Sequence, residues 1–415
     1  MENLLEKLKK AKKASSSLAL LNTKVKNEAL AKIAEGIEKN QEKILEENEK
    51  DIKKGQEKGL SKSLLDRILL NEKRLKDIVR SIDDIIRLPD PVGEIISLQK
   101  RPNGMLVGQM RVPIGVIALI YEARPNVTVD GAILSIKTGN AIVLRGSSDA
   151  LYSNIILAQV MRSALKETKV LEDAIQVIES PEHSVVEELL QMREYIDVAI
   201  PRGSTNFINY IMEKAKVPVI ETGAGNNHIY VDEDADFDMA RKIIFNAKVQ
   251  RPSVCNAIEK VLVHKTIADK FIPLVVEDLK KVGVEIRGCE RVCSIVKDAK
   301  LATEEDWYTE YLDLIIGIKV VDSLEDAIEH INKYNTKHSE GIITESYEKA
   351  LIFLREVDAA AVYVNASTRF TDGGEFGLGA EIGISTQKLH ARGPMGLKEL
   401  TTTKYIVFGE GQIRE

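Results

Sequence analysis

From Gly115 onward the chain alternates short apolar runs with helix-length segments, and no other feature of the sequence narrows the fold so far. Gly115 to Tyr121, Ala141 to Leu144, Ile175 to Ile178, Asp197 to Ile200 and Val217 to Ile220 read as strands. Val127 to Lys137, Ala150 to Leu165 and a segment opening near Gly203 read as helices. Apolar strands spaced by helices of this length predict a mostly parallel, doubly wound sheet. A second α/β series begins after Gly225. It has strands at His228 to Val231, Ile258 to Val263, Leu314 to Val321, Gly341 to Thr344 and Ala361 to Val364, with helices from Phe237 and over Ile267 to Lys281.

The flanks read differently. Residues Asn3 to Leu88 place Ile33, Ile37, Ile44, Leu64, Ile68, Leu75 and Ile78 at helical spacing among Lys and Glu, which predicts a set of surface helices. Ile95 to Gln99 and Met105 to Val112 flank Arg101-Pro102-Asn103-Gly104, a hairpin signal. Thr401 to Phe408 reads as an edge strand needing a partner. With 415 residues the chain is too long for one core. A net charge of -6 excludes a general attraction to nucleic acid or an anionic membrane surface. Three cysteines do not make a disulfide framework. Met1 to Lys7 holds no apolar leader, and no apolar run is long enough to span a membrane, so a cytoplasmic protein is expected.

Val249-Gln250-Arg251-Pro252-Ser253-Val254-Cys255-Asn256-Ala257 joins a helix to a strand. A cysteine on such a turn is either a fixed, accessible nucleophile or a small buried hydrophobe. At a pKa of about 8.5, only roughly one free thiol in thirty is ionised at neutral pH, so a nucleophile needs help from its site. No GxGxxG fingerprint opens the first sheet: Gly377-Leu378-Gly379-Ala380-Glu381-Ile382-Gly383 has one residue too many. Two segments are candidates for a phosphate. Pro201-Arg202-Gly203-Ser204-Thr205 starts a helix, and is either an anion site or an ordinary N-cap. Arg145, with Gly146-Ser147-Ser148 after it, ends a central strand, and either grips a ribose phosphate or forms a surface salt bridge. Cys289 and Cys293, four apart, are expected to share a helical face as a structural pair; the six histidines have no ligand spacing, so no metal is expected.

Glu221-Thr222-Gly223-Ala224-Gly225, followed after a helix by Cys255, resembles the aldehyde dehydrogenase superfamily. Tyr121-Glu122-Ala123-Arg124-Pro125-Asn126, Phe376-Gly377-Leu378-Gly379-Ala380-Glu381 and Leu389-His390-Ala391-Arg392-Gly393-Pro394-Met395-Gly396-Leu397 narrow the likeness to a branch that reduces an acyl phosphate. The resemblance implies an α/β fold with a doubly wound dinucleotide-binding domain (1-96, 113-228 and 386-397), a catalytic domain (229-385) and a small β oligomerisation arm (97-112 and 398-415). The implied reaction is NADPH-dependent reduction of L-glutamyl 5-phosphate to L-glutamate 5-semialdehyde and phosphate through a cysteine thioester, the second step of proline biosynthesis. Catalytic roles fall to Cys255 as nucleophile, Asn126 as oxyanion donor with the Cys255 backbone N–H, and Glu221 as proton shuttle or structural residue.

Arg145, Ser147, Gly203, Ser204 and Glu310 are the implied contacts to NADP, Glu310 at the nicotinamide ribose. Two departures stand out. Ile208 replaces a glycine expected after the Gly203 turn, and Ser148 stands where NAD-using relatives carry a ribose-binding glutamate, which favours a 2′-phosphate. A homo-oligomer and a separate glutamate kinase partner are implied. The rival readings are a hydrolytic, NAD-dependent aldehyde dehydrogenase and a non-catalytic protein that kept the fold; Cys255, Glu221 and Arg145 all being present argues against the latter.

Overall fold

The structure, a computed structural model, describes residues 3–414. Two compact units emerge from the chain. The first comprises the chain as far as Glu221, then Gly377–Gly383 and the chain from Met395 on; the second comprises Thr222–Phe376 and Ile384–Pro394.

The first unit opens with five helices, Leu4–Leu18, Thr23–Lys39, Gln41–Glu57, Lys62–Ile68 and Glu72–Arg87. Side chains of Asn3, Asn22, Ser61 and Asn71 cap four of them, accepting bonds from Leu5, Val25, Leu64 and Arg74 N–H groups. These short polar groups satisfy donors that the first helical turn leaves open. The hairpin follows as β1 (Ile95–Lys100) and β2 (Leu106–Pro113), antiparallel. Then come β3 (Val116–Tyr121), β4 (Ala141–Gly146), β5 (Ile175–Val177) and β6 (Val198–Arg202), parallel in the order β5-β4-β3-β6. All six residues of β3 and all six of β4 are buried, so both faces of the sheet are covered. The chain leaves β3 for β4 on one side and returns to β6 on the other. Their carboxyl ends, Tyr121 and Arg202, therefore stand at the switch point where sheets of this kind hold ligands.

The expected strand at Val217 to Ile220 is absent apart from one bridge, Ala199 to Val219. Pro218 has no N–H to give a ladder, so the apolar run pairs for a single step and stops. Thr401–Phe408 finds its partner within the chain: it pairs antiparallel with β2 along its full length, giving the order β1, β2, C-terminal strand.

In the second unit seven parallel strands are β7 (Asn227–Val231), β8 (Ile258–His264), β9 (Glu285–Gly288), β10 (Lys300–Leu301), β11 (Ile315–Val321), β12 (Ser339–Ile343) and β13 (Ala361–Val364). Their order is β10-β9-β11-β8-β7-β12-β13. Ile229, Val261, Ile318 and Phe271 belong to the larger apolar core on this sheet. Cys289 stands at the N-cap position of the helix Glu290–Ile295 and Cys293 one turn on, its N–H donating to Cys289 O at 3.0 Å. The Cys289 sulfur accepts the Val320 N–H at 3.5 Å, whereas the Cys293 thiol donates to Gly288 O at 3.5 Å. None of the three cysteines forms a disulfide.

Candidate active site

In the second unit the helix Phe237–Val249 is capped by Asp236 at its start and Gln250 at its end, and after seven intervening residues the chain enters β8. Cys255 lies on that connection, half-buried. Its position is fixed from several sides. The fully buried Asn227 on β7 donates from Nδ2 to Cys255 O and to Ala257 O, both at 2.7 Å, and accepts the Ser339 N–H at 3.1 Å. Asn256 donates to Thr371 O at 2.9 Å and accepts from Thr368 Oγ1 at 2.7 Å. On the remaining side Gly225 meets the Cys255 carbonyl so closely that no side chain fits there. A nucleophile needs this kind of fixing, because the rate falls steeply with misplacement.

Glu310 is drawn to the same place. Its Oε1 accepts the Gly225 N–H at 2.6 Å, so Glu310 and Cys255 are brought together around one glycine. The neighbouring Asn226 donates to Trp307 O at 2.7 Å and Tyr334 O at 2.8 Å, and accepts from Lys260 Nζ at 2.9 Å. Burial pushes Lys260 down to about 7, against the pull of Glu259. Behind this lies a buried ion pair, Lys248 to Glu259 at 2.7 Å.

In the first unit the chain leaves β3 through a left-handed turn, Ala123 at φ 44° and Arg124 at φ 60°, before Pro125 and the helix Asn126–Lys137. Two non-glycine residues in that region store backbone strain, which clusters at functional sites. The Ser147 hydroxyl accepts the Ala123 N–H at 3.2 Å, and the Asn126 amide donates to Asp130 at 3.0 Å. Ser204 occupies the N-cap of the helix Thr205–Lys214, but its side chain makes no capping bond. Instead Glu122 Oε2 accepts the Ser204 N–H at 2.7 Å, and the Gly203 Cα lies against that carboxylate. An anion thus already sits at the helix start. Arg145 is buried rather than surface-paired. Its Nη2 donates to Pro181 O at 2.8 Å, its Nε has no partner among the described residues, and burial lowers its pKa.

Asn126, Arg145, Ser147, Gly203 and Ser204 thus lie at the carboxyl ends of the first unit's strands, and Cys255 and Glu310 meet on either side of Gly225 in the second. Glu221, half-buried, is the last residue of the first unit before the crossing. Asn227 and Glu122 were not foreseen from the sequence. Glu122 was within reach, since it stands directly before the Ala123-Arg124-Pro125 turn; Asn227 reaches Cys255 across a distant segment.

These features define an enzyme of the aldehyde dehydrogenase class: residues 2–311 match the model of the aldehyde dehydrogenase family. Among curated proteins, the gamma-glutamyl phosphate reductase of Dictyoglomus thermophilum is 78% identical, with 100% of both chains covered. That of Caldicellulosiruptor bescii is 58% identical, again over 100% of each. The crystal structure of the Thermotoga maritima gamma-glutamyl phosphate reductase superposes with a TM-score of 0.97 at 54% identity, covering 100% of both chains. The chain belongs to the gamma-glutamyl phosphate reductase family.

Proposed function

We propose that this chain reduces L-glutamyl 5-phosphate to L-glutamate 5-semialdehyde and phosphate, with NADPH as reductant and a thioester on Cys255 as intermediate, in proline biosynthesis from glutamate. The observation that carries this reading is the half-buried Cys255 held by Asn227, Asn256 and Gly225. A carboxylate is too electron-rich to accept a hydride, whereas a thioester carbonyl is electrophilic and leaves a stable thiolate. The backbone N–H of Cys255 and the Asn126 amide are the proposed oxyanion donors, and Glu221 the proposed proton carrier.

Cofactor binding is assigned to the first unit and acyl transfer to the second. Arg145 and the hydroxyls of Ser147 and Ser148 suit a phosphorylated ribose, with Gly203 and Ser204 suited to the pyrophosphate. For a phosphate to take the Ser204 N–H, the Glu122 carboxylate that now accepts it must turn aside. When bound, NADPH supplies the hydride that takes the thioester to aldehyde. The Glu310 carboxylate, besides its proposed ribose contact, shapes the cysteine turn through Gly225.

The exposed apolar residues of the three-stranded sheet, among them Leu98, Tyr405, Val407 and Phe408, support a homo-oligomer joined through this arm. The labile acyl phosphate calls for a glutamate kinase as a separate supplier. No described helix is long and apolar enough to cross a membrane.

The test is reduction of NADP by glutamate semialdehyde with and without inorganic phosphate. Turnover is expected only with phosphate, and to vanish in Cys255→Ser. An unchanged rate in that variant rules out the covalent route.

A further inference from the structure

Two arginines converge on the nucleophile's turn. Arg251 is part of the turn, and Arg369 arrives on the short helix Thr368–Phe370. The attachment is specific on both sides of Cys255. Ahead of it, Gln250 Oε1 accepts Arg369 Nε–H at 2.8 Å; behind it, the Asn256 amide donates to Arg369 O at 3.3 Å. The Arg369 guanidinium is half-buried and electrostatically coupled to Arg251 and to Cys255, and Asp372 is the acidic group facing it. Neither arginine forms an ion pair with a carboxylate among the described residues. Arg251 is exposed and its charge is screened by water, whereas the half-buried Arg369 beside it has, among the described residues, only the Asp372 carboxylate near and no ion pair. The arrangement is completed by an anion from outside, and a guanidinium matches the oxygens of a phosphate in a bidentate fork.

We propose that Arg369, assisted by Arg251, holds the phosphoryl group of the substrate as it leaves Cys255's side, and holds incoming phosphate in the reverse direction. This rests on the acyl-phosphate reading above. In the forward half-reaction the thiolate sulfur forms a bond to the acyl carbon. The bond from that carbon to the phosphate oxygen breaks, and phosphate departs with the electron pair. No oxidation state changes in this step, and the growing charge lies on the departing phosphate oxygen, which is assigned to the arginines. In the reverse half-reaction a phosphate oxygen attacks the thioester carbon and the thiolate is released. The substrate's other anion, its α-carboxylate, is separated from the acyl carbon by three further carbons, whereas the phosphate is bonded at the reacting carbon itself. Arg369, anchored to Gln250 and Asn256 on either side of Cys255, therefore favours the phosphate.

The experiment uses the full chain in the oxidative direction, varying inorganic phosphate and glutamate semialdehyde separately in wild type, Arg369→Ala, Arg369→Lys and Arg251→Ala. Arg369→Ala is expected to raise KM for phosphate by about tenfold or more, the loss of one charge-assisted contact, with KM for the semialdehyde within about twofold of wild type. Arg369→Lys and Arg251→Ala are expected to show the same pattern more weakly. A second readout is independent of turnover: phosphate slows carbamidomethylation of the Cys255 peptide by iodoacetamide in wild type, and this protection is lost in Arg369→Ala. Thermal midpoints confirm that the variants remain folded. An unchanged KM for phosphate together with intact protection overturns the assignment. So does a rise confined to KM for the semialdehyde, which gives Arg369 to the carboxylate instead. A wild-type enzyme that turns over without phosphate overturns the acyl-phosphate reading and this one with it.

Discussion

Replacing Gly225 by alanine tests the cysteine turn most directly. A Cβ at that position would overlap the Cys255 carbonyl oxygen outright and lie 2.8 Å from the Cys255 Cα. Non-bonded heavy atoms pack at about 3.2–4.0 Å, so the overlapped carbonyl oxygen must retreat by roughly 1.5–2 Å and the Cα by roughly 1 Å. Asn227 opposes that retreat, since its amide holds the same carbonyl at 2.7 Å. Overpacking of this kind costs about 1–3 kcal/mol, and for a unit of this size each kcal/mol lowers Tm by about 2–4 °C. The protein should therefore fold, melting several degrees lower. A displacement of about 1 Å at the reacting atom is expected to cost about 100-fold in rate, far more than the loss of stability explains. The assay is kcat for phosphate-dependent NADP reduction, beside the alkylation rate of Cys255. Gly341→Ala is the control, because its Cβ would meet Ile229 at an ordinary 3.4 Å. If Gly225→Ala keeps its kcat within about threefold of wild type and its alkylation rate unchanged, the close approach does not position the sulfur.

His330 gives a pH signature: burial first, then Lys319, whose ammonium donates to His330 Nδ1 at 3.0 Å, hold its pKa down to about 3. An unfolded chain protonates this imidazole near about 6.5, so the stability is present above that pH and lost as pH falls from there toward about 3. Comparing Tm across that window, His330→Gln should lose less than wild type on acidification; parallel curves would refute the shift. Val407→Glu, on the exposed face of the C-terminal strand, is expected to lower the oligomer mass in sedimentation, and an unaltered mass would remove that face from the interface.

Much of the architecture was legible because its signals are local. Ala361–Val364 and Thr401–Phe408 have the bounds their β-branched runs suggest, and the hairpin follows from Asn103-Gly104 between extended segments. Val217 to Ile220 misled because apolar content outweighed the missing donor of Pro218. The Cys255 turn, between the helix Phe237–Val249 and β8, could be placed from sequence, but its supports could not. Asn227 reaches Cys255 only because β7 and β8 are neighbours in the sheet, and Arg369 reaches Gln250 across 119 residues. Such pairings are decided by topology, and no periodicity within a window reports them.

The pairing of β2 with Thr401–Phe408 bears on how this chain is made. A ribosome releases the hairpin roughly three hundred residues before the strand that covers its outer edge, and until then the edge stands open. Throughout translation that edge offers unsatisfied N–H and C=O groups to any extended chain nearby. Chains cut short before Thr401 should accordingly be the ones that clump, and the pairing of Thr401–Phe408 with β2 is what withdraws that edge from its neighbours.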